Sequence, residues 1–189
     1  MTLAKAWVSS VVDGRWYTEK ARWIQPKFVA AALQKNRSEA VQHDYAIVEI
    51  DRVNQNAVIP ACVALSQQIR SALYEMVVNQ RLAMLAAAVG RYNQSRELLY
   101  TRLHFVEWIG AEQRAFKNVD TNGLSWSEKG DSGAGYLVEY HNRSYVVAVN
   151  KGRQNNSQYS AGIILYSSPE ATSNLWAYKF IEETVWPVT

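Results

Sequence analysis

The chain has 189 residues, 48% hydrophobic and 20% charged, which is enough apolar material for one packed domain or two small intimate ones and argues against disorder. Its 20 basic and 17 acidic side chains are spread along the whole length, so the net charge of +3 forms no concentrated field of the kind that holds nucleic acid. The single cysteine, Cys62, excludes an intrachain disulfide, which favours a reducing, cytoplasmic setting and also fits a secreted protein that never relied on disulfides.

In chain order, Met1 to Val12 is broken by Lys5, Ser9 and Ser10 and makes a poor signal-peptide core. No apolar run approaches the roughly 18 residues of a membrane span, so a soluble protein without membrane contact is expected. The Asn-X-Ser sequons at Asn36, Asn93, Asn142 and Asn155 read as chance without an export signal. Trp16, Tyr17 and Trp23 lie close enough in sequence to form an aromatic patch, although core packing is the simpler reading.

Ala21 to Phe28 and Tyr45 to Ile50 read as strands. Between Ala61 and Val89 the pattern changes: Leu65, Ile69, Leu73, Met76 and Val77 recur at helical spacing, predicting a helix within Leu65 to Gln80 and then an apolar strand within Leu82 to Val89. Further strands are predicted over Leu98 to Trp108, Ala134 to Tyr140, Ser144 to Asn150 and Gly162 to Tyr166, with His141-Asn142-Arg143 as a tight hairpin connection. A closing helix over Ser173 to Glu183 carries Leu175, Trp176 and Phe180 on one side, with Ser173 or Asn174 as its N-cap. The fold class is mostly β.

The segment richest in chemistry is Lys129-Gly130-Asp131-Ser132-Gly133-Ala134-Gly135, which feeds a strand, a hairpin and a second strand ending at Asn150-Lys151-Gly152. A nucleophilic serine needs a tight turn that exposes its hydroxyl, and flanking glycines let backbone amides converge on a developing oxyanion. Gly130 to Gly133 supplies both. The bland alternative is a serine in an ordinary glycine-rich turn.

The Gly-Asp-Ser-Gly turn with its strand and hairpin resembles the nucleophile region of the chymotrypsin/trypsin-like serine peptidases. His43-Asp44-Tyr45-Ala46-Ile47-Val48 resembles that family's catalytic-aspartate strand, 88 residues before the serine. Val89-Gly90-Arg91 is similar to its Gly-aromatic-Gly turn in weakened form, Ala161 to Ile164 to its specificity-pocket strand, and Ser173 to Val185 to its closing helix. The resemblance implies a chymotrypsin-like double β-barrel: a partial amino-terminal barrel over 1–75, incomplete because the opening strands are missing, and a carboxyl-terminal barrel over 76–189, with a helix between the barrels and one at the end. It implies Ser132 as nucleophile, Asp44 as the carboxylate that orients a base, and the amides of Gly130 and Ser132 as the oxyanion hole. Asp131 would pair with a buried positive group, and the substrate would lie along Asn150, Lys151 and Gly152, with Trp126, Ser127, Lys129 and Gly162 around the primary pocket. Trp126, six residues before the serine, gives no support for a preference for basic residues.

A serine hydroxyl needs a general base. His43 precedes Asp44 in a predicted strand, where neighbouring side chains point to opposite faces. His104 falls in a later strand and His141 at a hairpin tip. The family's base lies on a helical turn in a Thr-Ala-Ala-His-Cys context; Thr2 to Val8 stands near that place and puts Ala6 at the histidine position. Two functions follow: a serine endopeptidase acting by acyl transfer through Ser132, or an inactive peptidase-like module that holds a peptide or a partner protein. A partner chain covering the incomplete first barrel is the further expectation. Ligand spacing for a metal and a Gly-rich phosphate loop are both missing from the pattern, so no cofactor is expected.

Overall fold

The computed structural model describes residues 8–9, 16–17, 19–50, 59–88, 99–111, 113–125, 127–128, 130–153 and 157–166. Two-residue strands β1 (Val8–Ser9) and β2 (Trp16–Tyr17) pair with each other. Strand β3 (Glu19–Ile24) pairs antiparallel with β4 (Ala46–Ile50), setting Trp23 opposite Ile47.

The strand expected to run to Phe28 stops at Ile24, and the reason is Pro26. A proline lacks the N–H a ladder needs, yet it suits the first turn of a helix, where that N–H has no partner anyway. Helix α1 (Pro26–Leu33) therefore begins there, with the Gln25 side chain accepting from Lys27 N at 2.5 Å. A second helix, α2 (Arg37–Gln42), starts at Asn36, whose side chain accepts from Glu39 N at 3.2 Å. His43 closes α2 and does not belong to a strand as expected.

The rest is a closed barrel of six antiparallel strands: β5 (Met84–Ala88), β6 (Leu99–Ile109), β7 (Ala115–Asp120), β8 (Gly135–Tyr140), β9 (Arg143–Arg153) and β10 (Ser160–Ile164), hydrogen-bonded in the order β10-β7-β6-β5-β8-β9, with β9 returning to β10. Closure pairs every strand on both sides and leaves no open edge. Strand β7 lies outside the strands the sequence predicts, because its Lys117, Asn118 and Asp120 look like surface residues; Asn118 and Asp120 are buried. The final strand starts two residues earlier than the pattern suggested, taking in the buried Ser160. His141 and Asn142, with φ of 49° and 57°, make the two-residue turn of the β8–β9 hairpin.

The helix predicted within Leu65 to Gln80 forms as α3 (Gln67–Tyr74) and widens into a π turn over Glu75–Asn79. Its apolar stripe covers the barrel, so Leu73, Val77 and Val78 share one core with Phe116, Tyr136 and Val147. The segment before it is laced to β9: Cys62 N donates to Ser144 O at 2.7 Å and Val146 N to Cys62 O at 3.0 Å. Ala64 is completely buried in the same core, and its N–H donates to the Tyr166 hydroxyl at 3.4 Å. The predicted closing helix over Ser173 to Glu183 lies outside the described residues.

Helix α2 docks on the barrel through Gln42. Its Nε2 donates to Ile109 O, and its Oε1 accepts from Ala115 N at 3.1 Å. Gly110 turns the chain there with φ of 84°, and a Cβ at that position would stand 2.5 Å from Gln42 Nε2. Backbone conformation and space both call for glycine. Beside it, fully buried His43 bonds Arg114 Nη1 through Nδ1 at 3.0 Å. These contacts bring Asp44 out at the barrel's surface.

Candidate functional site

The serine turn is held by its backbone. Gly130 and Gly133 have φ of 108° and 92°, a region that side chains avoid. Asp131 N donates to Glu128 O at 3.2 Å and Ala134 N to Asp131 O at 3.1 Å. Two bonds of 2.8 Å, Gly133 N to Asn150 O and Asn150 N to Ala134 O, fasten the turn to β9. This leaves Ser132 exposed, its hydroxyl donating to Lys151 O at 3.0 Å. The N–H groups of Gly130 and Ser132 meet no acceptor among the described residues.

Lys151 occupies an irregular place. Asn150 stands opposite Gly162 and Gly152 opposite Ala161, so Lys151 is the extra residue of a β-bulge and has no partner in β10. A bulge re-aims the side chain it carries. Here the Lys151 ammonium reaches Asp44, with Nζ 2.5 Å from Oδ2. Ser132 and Asp44, 88 residues apart in sequence, thus meet on one residue: the hydroxyl on its carbonyl and the carboxylate on its ammonium. Gly152 stands beside them, and a Cβ there would lie 3.7 Å from Ser132 Oγ.

Beneath the turn runs a buried polar network. Asn150 Oδ1 accepts from the Tyr136 hydroxyl at 2.7 Å, Ser127 Oγ at 2.9 Å and Gly152 N at 3.2 Å, while Asn150 Nδ2 donates to Asp131 O at 2.9 Å. Ser127 N donates to Ser160 Oγ at 2.7 Å. Burial pushes the Tyr136 phenol far above its ordinary range, so it stays a neutral donor. Asn150 and Ser127 therefore hold the bulge in place with their side chains, and both are buried. Gly162 faces the core: a Cβ would stand 2.8 Å from the Tyr136 ring and 2.9 Å from that of Phe116. Trp126, Lys129 and Ala6 lie outside the described residues.

Next to the turn opens a cavity of about 310 Å³. Leu99, Tyr100, Leu103 and Leu124 form its apolar wall, and Glu128 and Asp131 line it from the turn. Asp131 Oδ2 accepts from Glu128 N at 2.7 Å. The loop carrying Leu124 is anchored by Asp120. Burial alone would raise that carboxyl's pKa, but donation from the Thr101 hydroxyl and from the Leu124, Asn122 and Ser125 amides outweighs it and holds the group below its usual value.

None of the three histidines contacts Ser132. His43 is buried against Arg114. His104 Nδ1 donates to Arg81 O at 2.8 Å, with Nε2 2.9 Å from Thr121 Oγ1. His141 stacks on Tyr140, ring centres 4.1 Å apart. The ion pair to Asp44 is not legible in the sequence: the resemblance puts Lys151 on the substrate strand, and only the bulge register reveals where its side chain turns. No group of three or more His, Cys, Asp or Glu side chains suited to a metal occurs among the described residues, and no described helix is long and apolar enough to cross a membrane. No protein-family model matches the chain, and no curated protein is detectably similar to it.

Proposed function

We propose that the chain is a serine acyl-transfer domain of the chymotrypsin-like peptidase kind, acting on a peptide or protein through Ser132. In this reading the closed barrel is the second of two, and β3, β4, α1 and α2 represent a reduced first barrel. The observation that carries it is the meeting of Ser132 and Asp44 on Lys151. A glycine-rich turn alone would not draw in a distant carboxylate. The amides of Gly130 and Ser132, which meet no acceptor among the described residues, supply the donors that a tetrahedral oxyanion would need. Substrate backbone would run beside Lys151 and Gly152 at the barrel's rim.

The test is labelling by an alkyl fluorophosphonate, with Ser132→Ala as control. Labelling of the native chain that disappears in Ser132→Ala supports the reading; equal signals from both remove it. One observation favours a second reading, an inactive module that binds a peptide or partner protein: the Ser132 hydroxyl rests on a carbonyl, which cannot take its proton, and no histidine stands beside it. Under that reading the native chain stays unlabelled and a bound peptide protects the Ser132 turn from hydrogen exchange.

A further inference from the structure

We infer that Lys151 is the base that activates Ser132, with Asp44 as the carboxylate that holds its ammonium between turnovers. This rests on the acyl-transfer reading above and names the group that reading lacks. A nucleophilic serine needs a nearby nitrogen that can accept a proton, and each described histidine is committed elsewhere. Lys151 is joined to Ser132 directly through its own carbonyl, at 3.0 Å. It is also the extra residue of the bulge, so its orientation is set apart from the alternation of β9.

A lysine on a flexible four-carbon stem can turn from one partner to another, which a rigid guanidinium does less readily. The ion pair is the proton-loaded resting form. Ser132 is activated in molecules whose ammonium has released a proton to solvent and whose amine has turned from Asp44 to Oγ. Oγ then attacks the substrate carbonyl carbon, forming the C–O bond, while its proton passes to Nζ. The resulting ammonium delivers that proton to the leaving nitrogen as the C–N bond breaks. Water completes the cycle: its oxygen attacks the ester carbonyl, Nζ takes its proton, and that proton returns to Ser132 Oγ as the ester opens.

The experiment measures the rate of fluorophosphonate labelling in the native chain, Lys151→Arg, Lys151→Met and Asp44→Asn. In this reaction Oγ attacks phosphorus, fluoride leaves and the hydroxyl proton goes to Nζ. Arginine keeps the charge and a pair with Asp44 but does not deprotonate in proteins. The expected result is Ser132-dependent labelling of the native chain and a loss of about 100-fold or more in both Lys151 variants, with the thermal midpoint of Lys151→Arg unchanged. Asp44→Asn, which releases the lysine side chain from its ion pair, should label faster than native. Native-like labelling of Lys151→Arg overturns the assignment while leaving acyl transfer intact. Slower labelling of Asp44→Asn also overturns it, pointing to a carboxylate that orients some other base. No labelling of the native chain removes both the assignment and the function beneath it.

Discussion

The barrel and the β3–α1–α2–β4 unit hold themselves together differently. In the barrel every strand is paired on both sides, and one continuous core runs from Leu73 and Val77 under α3 to Phe116 and Tyr136. The amino-terminal unit has a two-stranded sheet and two short helices, and it meets the barrel through Gln42, His43 and Asp44. A two-stranded sheet is marginal by itself. The Ser132 turn therefore belongs to the self-sufficient part, whereas Asp44 reaches that turn only while the smaller unit stays docked.

The largest expected effect falls in the barrel. Phe116→Ala removes a fully buried ring that touches Phe105, Trp108 and Tyr136, and should cost about 3–5 kcal/mol in denaturant unfolding. A loss well below 1 kcal/mol would mean that the core is looser than described. Gly162→Ala forces a methyl group between two rings and should cost about 1–3 kcal/mol. Gln42→Ala sharpens the contrast from the other side. It deletes both docking hydrogen bonds and leaves buried Ala115 N without its acceptor, a loss of about 1–3 kcal/mol. Hydrogen exchange should then rise in residues 19–50 while β8 and β9 remain protected; equal loosening of both regions would contradict the division.

Asp120 gives a pH-dependent effect. Its carboxyl is held below the ordinary value of 3.8, so the charged form is bound more favourably in the folded state. That stability is present above the unfolded pKa and is lost as pH falls through the folded one. Asp120→Asn should therefore be less stable than native near neutral pH, with the gap closing as the pH drops below about 4. A gap constant down to pH 2 would show that the carboxylate's charge is irrelevant. The smallest effect belongs to the ion pair itself: Lys151→Met should change stability by about 0–1 kcal/mol, since side-chain exposures of 24% and 45% leave the pair screened by solvent.

The same contrast explains what could be read from the sequence. Strands β5, β6, β8 and β9 are legible because β-rich apolar runs alternate with turn residues such as His141-Asn142. Helix α3 is legible from the period of Ile69, Leu73, Met76 and Val77. Strand β7 is hidden because Asn118 and Asp120 are polar yet buried: Asn118 Nδ2 donates to the Tyr136 hydroxyl, and Asp120 Oδ1 accepts from the Thr101 hydroxyl, both partners lying on other strands. Helices α1 and α2 are each under three turns long, and their signals, Pro26 at a first turn and Asn36 three residues before Glu39, are easily passed over. At the site, the turn of Ser132 and the likeness of Asp44 to a catalytic-aspartate strand are local patterns. The commitment of Lys151 to Asp44 depends on a bulge and on docking of the smaller unit, neither of which is local.

In the proposed function Ser132 is a reactive nucleophile. Its most direct test is peptide mass spectrometry after fluorophosphonate treatment of the native chain, because the tryptic peptide from Gly130 to Arg143 contains one serine. A stoichiometric adduct on Ser132 that builds up over time, and that is lost on heat denaturation before treatment, is the expected result. An unmodified peptide after prolonged exposure, or an adduct spread equally over other serines, would contradict it.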